Sequence, residues 1–329
     1  MRVVSLLPSA TELLDAVGAI SLLVGKSHEC DAPASIAHLP ILTRQRIDPN
    51  SSSSTIDAEV SKALAAGESL YTLDEQTLAE LRPDVILTQD LCEVCSIDLA
   101  AVARVASKLS TNPTIISLNP HTVEDVIDDL LRVGEAVGFR ERAMHVAVTM
   151  RERLYAAQEY VSSLEEGPVV LFLEWTDPPF CAGHWTVQLI ERAGGRHPFN
   201  PTVAPSGLGA AAGFQQGARK AGKSTRLDLA AILAAQPEAI VIAPCGFDLD
   251  RAIACTRELQ TQPWWRELPA VRSGRVAIVD GNQMFNRPGP RLVEAFEFLV
   301  GFLQQRDELI PRGFPYATRD AAGTITRLA

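Results

Sequence analysis

The sequence has no run of about eighteen uninterrupted apolar residues, which is the length that a membrane-spanning helix requires. It also has no dense cluster of lysine and arginine, and its net charge is −10. Proteins that bind nucleic acids usually carry a basic surface that neutralises phosphates. We therefore predict a chain that neither inserts into a membrane nor binds nucleic acid.

Sequence motifs of several common enzyme classes are also missing. The chain has no Gly-x-Ser-x-Gly nucleophile motif, no Gly-x-Gly-x-x-Gly fingerprint and no His-Glu-x-x-His pair. We also expect no Walker phosphate-binding loop. A thiol dyad of Cys92 with His28 or His121 is the enzymatic alternative that the residue types leave open. We predict a protein without enzymatic activity.

The first residues do not have the pattern of an export signal, which joins a basic stretch to an apolar stretch and a cleavage site. A predicted strand instead begins at once, with Val3–Leu7. We therefore expect a cytoplasmic protein; if the true N-terminus is missing, a periplasmic or lipid-anchored protein is the alternative. The cysteines are scattered along the chain, which favours reduced thiols. They are Cys30, Cys92, Cys95, Cys181, Cys245 and Cys255.

Short apolar runs alternate with helical patterns along the whole chain, which is typical of βαβ units on a parallel sheet. At 329 residues the chain suits two domains. The predicted strands are Val3–Leu7, Leu22–Val24, Val85–Thr88, Thr114–Ser117, Pro168–Leu173, Ala239–Ala243 and Val276–Val279. We predict an N-terminal α/β lobe over 1–138 and a C-terminal α/β lobe over 166–329, each Rossmann-like.

The two lobes are predicted to be joined by one long helix within 139–165. Residues from Phe139 to about Leu164 contain neither glycine nor proline. Twenty-six helical residues would extend about 39 Å. The alternative is an ordinary surface helix of one domain. The glycine- and alanine-rich segment Ala204–Lys223 is predicted to be a long loop.

Polar and aromatic residues collect directly after the predicted strands. Glu174, Trp175 and Asp177 follow one strand of the second lobe, and Asn286 and Arg287 come after another. The carboxyl ends of parallel strands share one edge of a sheet, so these side chains are expected to line that edge. Flat aromatic walls with a few polar groups suit a large planar small molecule.

The sequence resembles the vitamin B12-binding branch of the helical-backbone periplasmic binding proteins, which is class III of that superfamily. The segments that carry the resemblance are Arg2–Gly18, Gly67–Gln89, Trp175–Phe199, Ala234–Asp248 and Asp280–Arg291. The resemblance implies two α/β lobes joined by a long helix, with a ligand cleft between them. It implies non-enzymatic binding of cobalamin or a related corrinoid by a monomer. The ligand-binding residues that we predict are Tyr71, Glu174, Trp175, Asp177, Phe180, Trp185, Phe285, Asn286 and Arg287.

The resemblance also raises the question of a transporter partner. Relatives that dock on a permease present one exposed glutamate on each lobe, and here those positions fall near Gln76 and Ala230. Neither is acidic, which argues against docking on a permease. The alternative is that the chain is the substrate-binding component of an ABC importer for B12, haem or a ferric chelate.

A metal-binding protein is the remaining alternative. Cys92 and Cys95 have the spacing of a ligand pair, and Cys181 and His184 could join them. His28 is a further candidate, because an imidazole from His28 or His184 could bind the cobalt of a corrinoid or the metal of another chelate.

Overall fold

The computed structural model describes residues 1–90, 99–162, 166–204 and 219–328. Cys92 and Cys95, and most of the loop predicted over Ala204–Lys223, lie outside these ranges. The described chain divides into two compact units. Unit 1 consists of Met1–Pro120 and Asp125–Met150, and unit 2 of His121–Glu124 and Arg151–Ala329.

Unit 1 is built on a parallel sheet with a separate antiparallel strand pair. Its strands are β1 (Val3–Ser5), β2 (Leu23–Lys26), β3 (Thr43–Gln45), β4 (Tyr71–Leu73), β5 (Val85–Thr88) and β6 (Thr114–Ser117). The parallel sheet has the order β2-β1-β5-β6, and β3 pairs with β4. The predicted bounds of β5 and β6 are confirmed, whereas the sequence did not predict β3 or β4.

Helices follow the strands of unit 1. They are α1 (Pro8–Ala16), α2 (Ser53–Ala65), α3 (Glu75–Leu81), α4 (Leu99–Ala106) and α5 (Val123–Val137). The spacing of Ser9 and Glu12 is typical of a capping box, but the structure places both inside α1, where they are buried. Pro8 instead begins this helix, because its fixed φ suits the first helical position and the position needs no N–H donor.

Unit 2 contains a mixed sheet of six strands among the described residues. Its strands are β7 (Val170–Thr176), β8 (Pro179–Cys181), β9 (Ala239–Ile242), β10 (Val276–Val279), β11 (Tyr316–Arg319) and β12 (Ile325–Arg327). They lie in the order β12-β11-β10-β9-β7-β8, in which β7, β9 and β10 are parallel and the others antiparallel. Each unit is thus an α/β lobe, which confirms the predicted fold class.

Five helices of unit 2 accompany its sheet in the described part of the chain. They are α7 (His184–Arg192), α8 (Leu229–Ala235), α9 (Leu249–Thr261), α10 (Pro269–Ser273) and α11 (Leu292–Gln304). Every residue of β9 and β10 is buried, as expected for central parallel strands whose two faces are both covered. Trp265 is fully buried in this core, while Trp264 packs against it from the edge.

The helix between the predicted lobes is α6, which runs from Arg140 to Gln158. Its 19 residues extend about 28 Å, rather than the predicted 39 Å. Residues 163–165, at the predicted end, lie outside the described ranges. The division between units falls inside α6, between Met150 and Arg151. The predicted bounds 1–138, 139–165 and 166–329 stay a prediction.

One structural element occurs in both units. In unit 1, Asp74 caps α3, Arg82 ends it in the left-handed region at φ 46°, and Asp84 leads into β5. In unit 2, Asp228 caps α8 and Gln236 ends it at φ 47°.

The strand entries are fastened in the same way in the two units. Asp84 Oδ2 accepts a 2.7 Å hydrogen bond from the backbone N–H of Arg2, which precedes β1. Glu238 Oε2 accepts one of 3.0 Å from Val169, which precedes β7. An acidic residue at the strand entry therefore anchors the neighbouring strand in each lobe.

None of the described helices has the length and apolar character needed to cross a membrane.

Candidate functional site

The carboxyl ends of β7, β9 and β10 lie on one edge of the sheet of unit 2, because these strands are parallel. The loops that follow them are tied together. Asn286 Nδ2 donates to the carbonyl oxygens of Ala243, at 3.0 Å, and Gly281, at 2.7 Å. A Cβ atom on Gly281 would lie 2.0 Å from the carbonyl oxygen of Pro244, so only glycine permits this approach. The β9 and β10 loops thus form one rigid edge.

An aromatic cluster stands on this edge. The ring of Trp175 is half-buried and lies 4.9 Å from the ring of Phe247, measured between centroids. The guanidinium carbon of Arg251 lies 3.5 Å from the centre of the Phe247 ring, which is cation–π geometry. Trp175 Nε1 donates to the carbonyl oxygen of the exposed Asp177 at 3.1 Å. Phe247 is itself buried, so the accessible part of the cluster is the half-buried ring of Trp175, with the positive charge of Arg251 nearby.

Sequence reasoning did not select Phe247 or Arg251 as site residues. Their spacing of four residues was a usable signal, because Phe247 immediately precedes the helix cap Asp248 and Arg251 lies in the first turn of α9. The first turn of a helix lies beside the residue that precedes its cap, so side chains at these two positions can meet.

Three predicted ligand-binding residues of the β10 loop have structural roles in unit 2. Phe285 is fully buried, with its ring 5.0 Å from that of Phe172, and has no surface to offer a ligand. Arg287 is buried and donates to Asn282 Oδ1 at 2.9 Å. Asn286 holds the β9 and β10 loops together. Neither the composition nor the spacing of the sequence indicated that Phe285 and Arg287 are buried.

Asp280 organises the start of the same loop. Its Oδ1 accepts hydrogen bonds from the backbone N–H groups of Asn282, at 3.0 Å, and Gln283, at 2.8 Å. Burial raises the pKa of Asp280, and these two bonds oppose the effect.

The start of α7 carries the remaining predicted residues of unit 2. Glu174 Oε1 accepts a 3.0 Å hydrogen bond from the backbone N–H of Gly183, at the helix N-cap. Trp185 is buried, and its Nε1 donates to the carbonyl oxygen of Phe285 at 2.6 Å. Phe180 is half-buried on β8 at the sheet edge. Phe180 and Trp175 are thus the predicted aromatic residues of unit 2 that remain partly accessible, whereas Trp185 and Phe285 are buried.

His184 begins α7 beside two other rings. It lies 5.7 Å from Trp185 in a stacked arrangement and 5.3 Å from His121, between ring centroids. Its backbone has φ 47°, and its N–H donates to the carbonyl oxygen of Gly222 at 2.9 Å. Burial lowers the pKa of His184 to about 4, and the neighbouring His121 and Lys223 add to this effect. The imidazole is therefore neutral at pH 7.

A groove of about 680 Å³ lies on the surface of unit 2. Among the predicted ligand-binding residues, only Asp177 lines it. The other residues that line it include Arg226, Asp228, Glu258, Leu259 and Trp264. It thus runs from the β7–β8 turn along the second half of α9, rather than over the aromatic cluster.

In unit 1, the loop after β2 places His28 beside Tyr71. Their ring centroids are 5.7 Å apart, and Tyr71 is buried within β4. His28 Nδ1 lies 2.7 Å from Thr43 Oγ1, while its Nε2 is buried without a hydrogen-bond partner among the described residues. Burial lowers the pKa of His28, so the neutral imidazole is favoured.

Hydroxyl and thiol groups form a buried network below this loop. Thr11 Oγ1 donates to Ser5 Oγ at 2.8 Å and lies 3.1 Å from Cys30 Sγ. Cys30 Sγ in turn donates to Ser27 Oγ at 3.4 Å, and Lys26 Nζ donates to the carbonyl oxygen of Cys30 at 2.7 Å. The network fixes the chain at the carboxyl ends of β1 and β2.

The metal alternative finds little support in the described ranges. There, no group of three or more His, Cys, Asp and Glu side chains could hold a metal ion. Burial raises the pKa of Cys181, whose Sγ lies 3.4 Å from Thr225 Oγ1, so the thiol is protonated at neutral pH. Cys92 and Cys95 lie outside the described residues.

The expectation of no Walker loop was wrong at the level of the sequence pattern. Residues 217–224 match the Gly-x-x-x-x-Gly-Lys-Ser pattern of a phosphate-binding loop. Within the described part, 219–224, no helix begins at Lys223 or Ser224. The carbonyl oxygens of Gly222 and Lys223 instead accept hydrogen bonds from Asn200 Nδ2, at 3.0 and 3.2 Å. The segment lacks the helix start on which phosphate binding depends.

The positions of the expected docking glutamates are both exposed in first helical turns. Gln76 lies in α3, where its Nε2 donates to Glu80 Oε1 at 2.9 Å, and Ala230 lies in α8. Both helices belong to the element that is repeated in the two units.

A family model of the periplasmic binding proteins matches residues 3–282. The chain belongs to this family. The family is a class of solute-binding proteins rather than enzymes. A search of the curated protein sequences finds no match.

Solved structures of several solute-binding proteins share the fold. A periplasmic haem-binding protein from Pseudomonas aeruginosa superposes with a TM-score of 0.67 at 20% identity, covering 93% of each chain. The periplasmic vitamin B12-binding protein BtuF of Vibrio cholerae gives a TM-score of 0.64 at 20% identity, covering 93% of this chain and 98% of that one. The haem-binding protein RhuT from Roseiflexus gives 0.65 at 21% identity, with 92% and 98% covered.

Proposed function

We propose that this periplasmic binding protein-like chain binds a corrinoid, such as cobalamin, without altering it chemically. Two observations support the proposal. The family binds solutes, and one structural neighbour of the same fold is described as a vitamin B12-binding protein. The observation on which the proposal mainly rests is the aromatic cluster of Trp175 and Phe247 at the carboxyl edge of unit 2.

The cluster suits a ligand with a large flat face and polar edges. The accessible face of Trp175 can remove one apolar face of the ligand from water, which stabilises the complex by about 25 cal/mol for each Å² buried. Arg251 and Asp177, beside the ring, supply a donor and an acceptor for amide groups at the ligand's rim. Contacts of this kind leave room for submicromolar affinity after the costs of ordering.

Titration with cyanocobalamin, followed by quenching of tryptophan fluorescence, tests this proposal. We expect a saturable decrease in emission with one equivalent bound. Unchanged emission, together with no heat of binding in calorimetry, would contradict the corrinoid assignment.

The second candidate ligand is haem or a ferric chelate. The observation that favours it is His28, whose buried Nε2 lacks a partner and whose ring lies near Tyr71. Imidazole and phenolate oxygen are both known ligands of haem iron. A parallel titration with haemin distinguishes the two: a Soret shift that His28→Ala abolishes would favour haem, provided that cyanocobalamin gives no response.

We propose further that the protein works inside the cell and does not dock on a permease. The alternative role is that of the substrate-binding component of an ABC importer. Gln76 and Ala230, at the two helix starts, carry no carboxylate, and this supports the first role. Cell fractionation of the native host tests it. Recovery of the protein outside the cytoplasm would favour the importer role.

A further inference from the structure

Two histidines of unit 2 lie close together although 63 residues separate them in the sequence. His121 stands in the loop before α5 and His184 is the first residue of α7. Their ring centroids are 5.3 Å apart and their planes are inclined by 62°. His184 Nδ1 is buried and has no hydrogen-bond partner among the described residues.

The separation of the rings matches a shared metal ion. With a metal–nitrogen distance of about 2.1 Å, the ion lies about 3.2 Å from each ring centre, and a tetrahedral angle separates the centres by about 5.2 Å. Two imidazoles on opposite sides of one ion would need centres about 6.4 Å apart. The observed 5.3 Å is an ordinary edge-to-face separation of two rings, and it also fits two adjacent ligands of a tetrahedral ion better than two axial ligands of a macrocycle-bound metal.

The fold fixes both rings in place. Gln188, one turn after His184 on α7, is buried, and its Oε1 accepts a 2.9 Å hydrogen bond from the backbone N–H of Val123. This bond holds the segment that contains His121 against the face of α7 that carries His184. The backbone N–H of His184 donates to Gly222, which fixes the other side of the helix start.

The protonation state also suits metal binding. Burial lowers the pKa of His184 to about 4, so its nitrogen lone pair is available at neutral pH. Lys223 is the cation that opposes binding, since its charge contributes to the lowered pKa.

We propose that His121 and His184 form a two-imidazole site for a divalent transition-metal ion such as Zn²⁺, with water molecules completing a tetrahedral shell. Imidazole nitrogen is a preferred ligand of zinc, and an open site with exchangeable water is usual when the protein supplies fewer than four ligands. The site is independent of the proposed corrinoid and would exist whichever chelate the protein binds.

Calorimetric titration of the tag-free chain with Zn²⁺ at pH 7.5 tests the site. We expect His121→Ala and His184→Asn each to weaken one binding event at least about 10-fold, because loss of even an indirect ligand partner costs 10- to 100-fold. Asparagine is chosen at 184 because it tolerates the positive φ of that residue. His38→Ala and His145→Ala, which change exposed histidines, are the matched controls and should leave the affinity unchanged.

A charge variant tests whether the ion lies beside His184. Lys223→Gln removes the nearby positive charge and should tighten Zn²⁺ binding about three-fold or more. A purely structural pair of histidines would not respond in this way.

Chemical protection of the unaltered chain avoids any dependence on folded variants. Zn²⁺ should protect His121 and His184, but not His38, from modification by diethyl pyrocarbonate, as mapped by mass spectrometry. The proposal would be overturned if zinc protected neither residue. It would also be overturned if both histidine variants bound zinc as tightly as the unaltered chain does.

Discussion

Trp185 Nε1 donates a 2.6 Å hydrogen bond to the backbone carbonyl oxygen of Phe285, which joins the first turn of α7 to the loop after β10. Both residues are buried, and Phe285 adopts a positive φ of 60°. The bond satisfies a carbonyl group in a segment that cannot continue a regular strand or helix. Two residues that the sequence suggested as ligand contacts thus stabilise the scaffold of the candidate site.

Trp185→Phe should therefore destabilise the protein. The variant keeps most of the apolar ring but leaves the buried carbonyl of Phe285 without its donor, which costs about 1–3 kcal/mol in the free energy of unfolding. Urea denaturation measures the loss. Trp175→Phe is the control, because its Nε1 bonds to an exposed carbonyl; an equal loss in both variants would show that the Phe285 bond has no special weight.

Gly281→Ala should also reduce stability, because its Cβ would lie 2.0 Å from the carbonyl oxygen of Pro244 and 2.6 Å from the carbonyl carbon of Ala243. Backbone must move to relieve this overlap, and we expect a loss of at least about 2 kcal/mol. The matched control is Gly222→Ala, whose nearest neighbour is a side-chain oxygen at 3.3 Å. If thermal unfolding placed the two variants at the same midpoint, the close approach of the two loops would be doubtful.

Asp129 predicts a pH dependence of stability in unit 1. Burial raises its pKa to about 6 from 3.8, although its Oδ1 accepts a 2.7 Å hydrogen bond from Arg132. The folded state therefore binds a proton more tightly than the unfolded state, and the contribution of Asp129 to stability is lost as the pH rises from about 4 to about 6.

Asp129→Asn should remove this part of the pH dependence. Relative to the unaltered chain, the variant should gain stability between pH 4 and pH 6 and keep a constant advantage above that range. Urea denaturation at pH 4.5, 5.5 and 7 measures the difference. Asp15→Asn, at an exposed position on α1 of the same unit, is the control, because Asp15 is not among the charges that shift the pKa of Asp129. A difference that stayed constant over the three pH values would contradict the raised pKa.

Trp175→Ala should weaken binding of cyanocobalamin about 10-fold, because it removes both the buried area and the stacking interaction of one aromatic ring. Removal of this tryptophan changes the fluorescence signal itself, so calorimetry is the measurement. Tyr155→Ala, at an exposed aromatic residue on α6, is the control and should bind as the unaltered chain does. Full affinity in the Trp175 variant would place the ligand elsewhere.

Much of the fold was predictable because its signals are local. β5, β6 and β10 have the bounds that the sequence predicted, since continuous apolar runs report burial directly. The short strands β3 and β4 were missed because their few residues carry no distinct periodicity, and their pairing joins segments almost thirty residues apart. The end of α6 was placed too far along because its composition stays favourable to helix beyond Gln158.

The sequence by itself determined the α/β lobes, because parallel strands buried on both faces leave an apolar pattern that needs no partner to be recognised. The family came from the resemblance of segments such as Arg2–Gly18 and Asp280–Arg291. Only the tertiary structure decided which polar and aromatic side chains remain accessible. Phe285 and Arg287 became buried, while Phe247 and Arg251 joined Trp175, and His121 came to lie beside His184. These outcomes depend on hydrogen bonds and close approaches between distant loops, and neither spacing nor composition encodes such contacts.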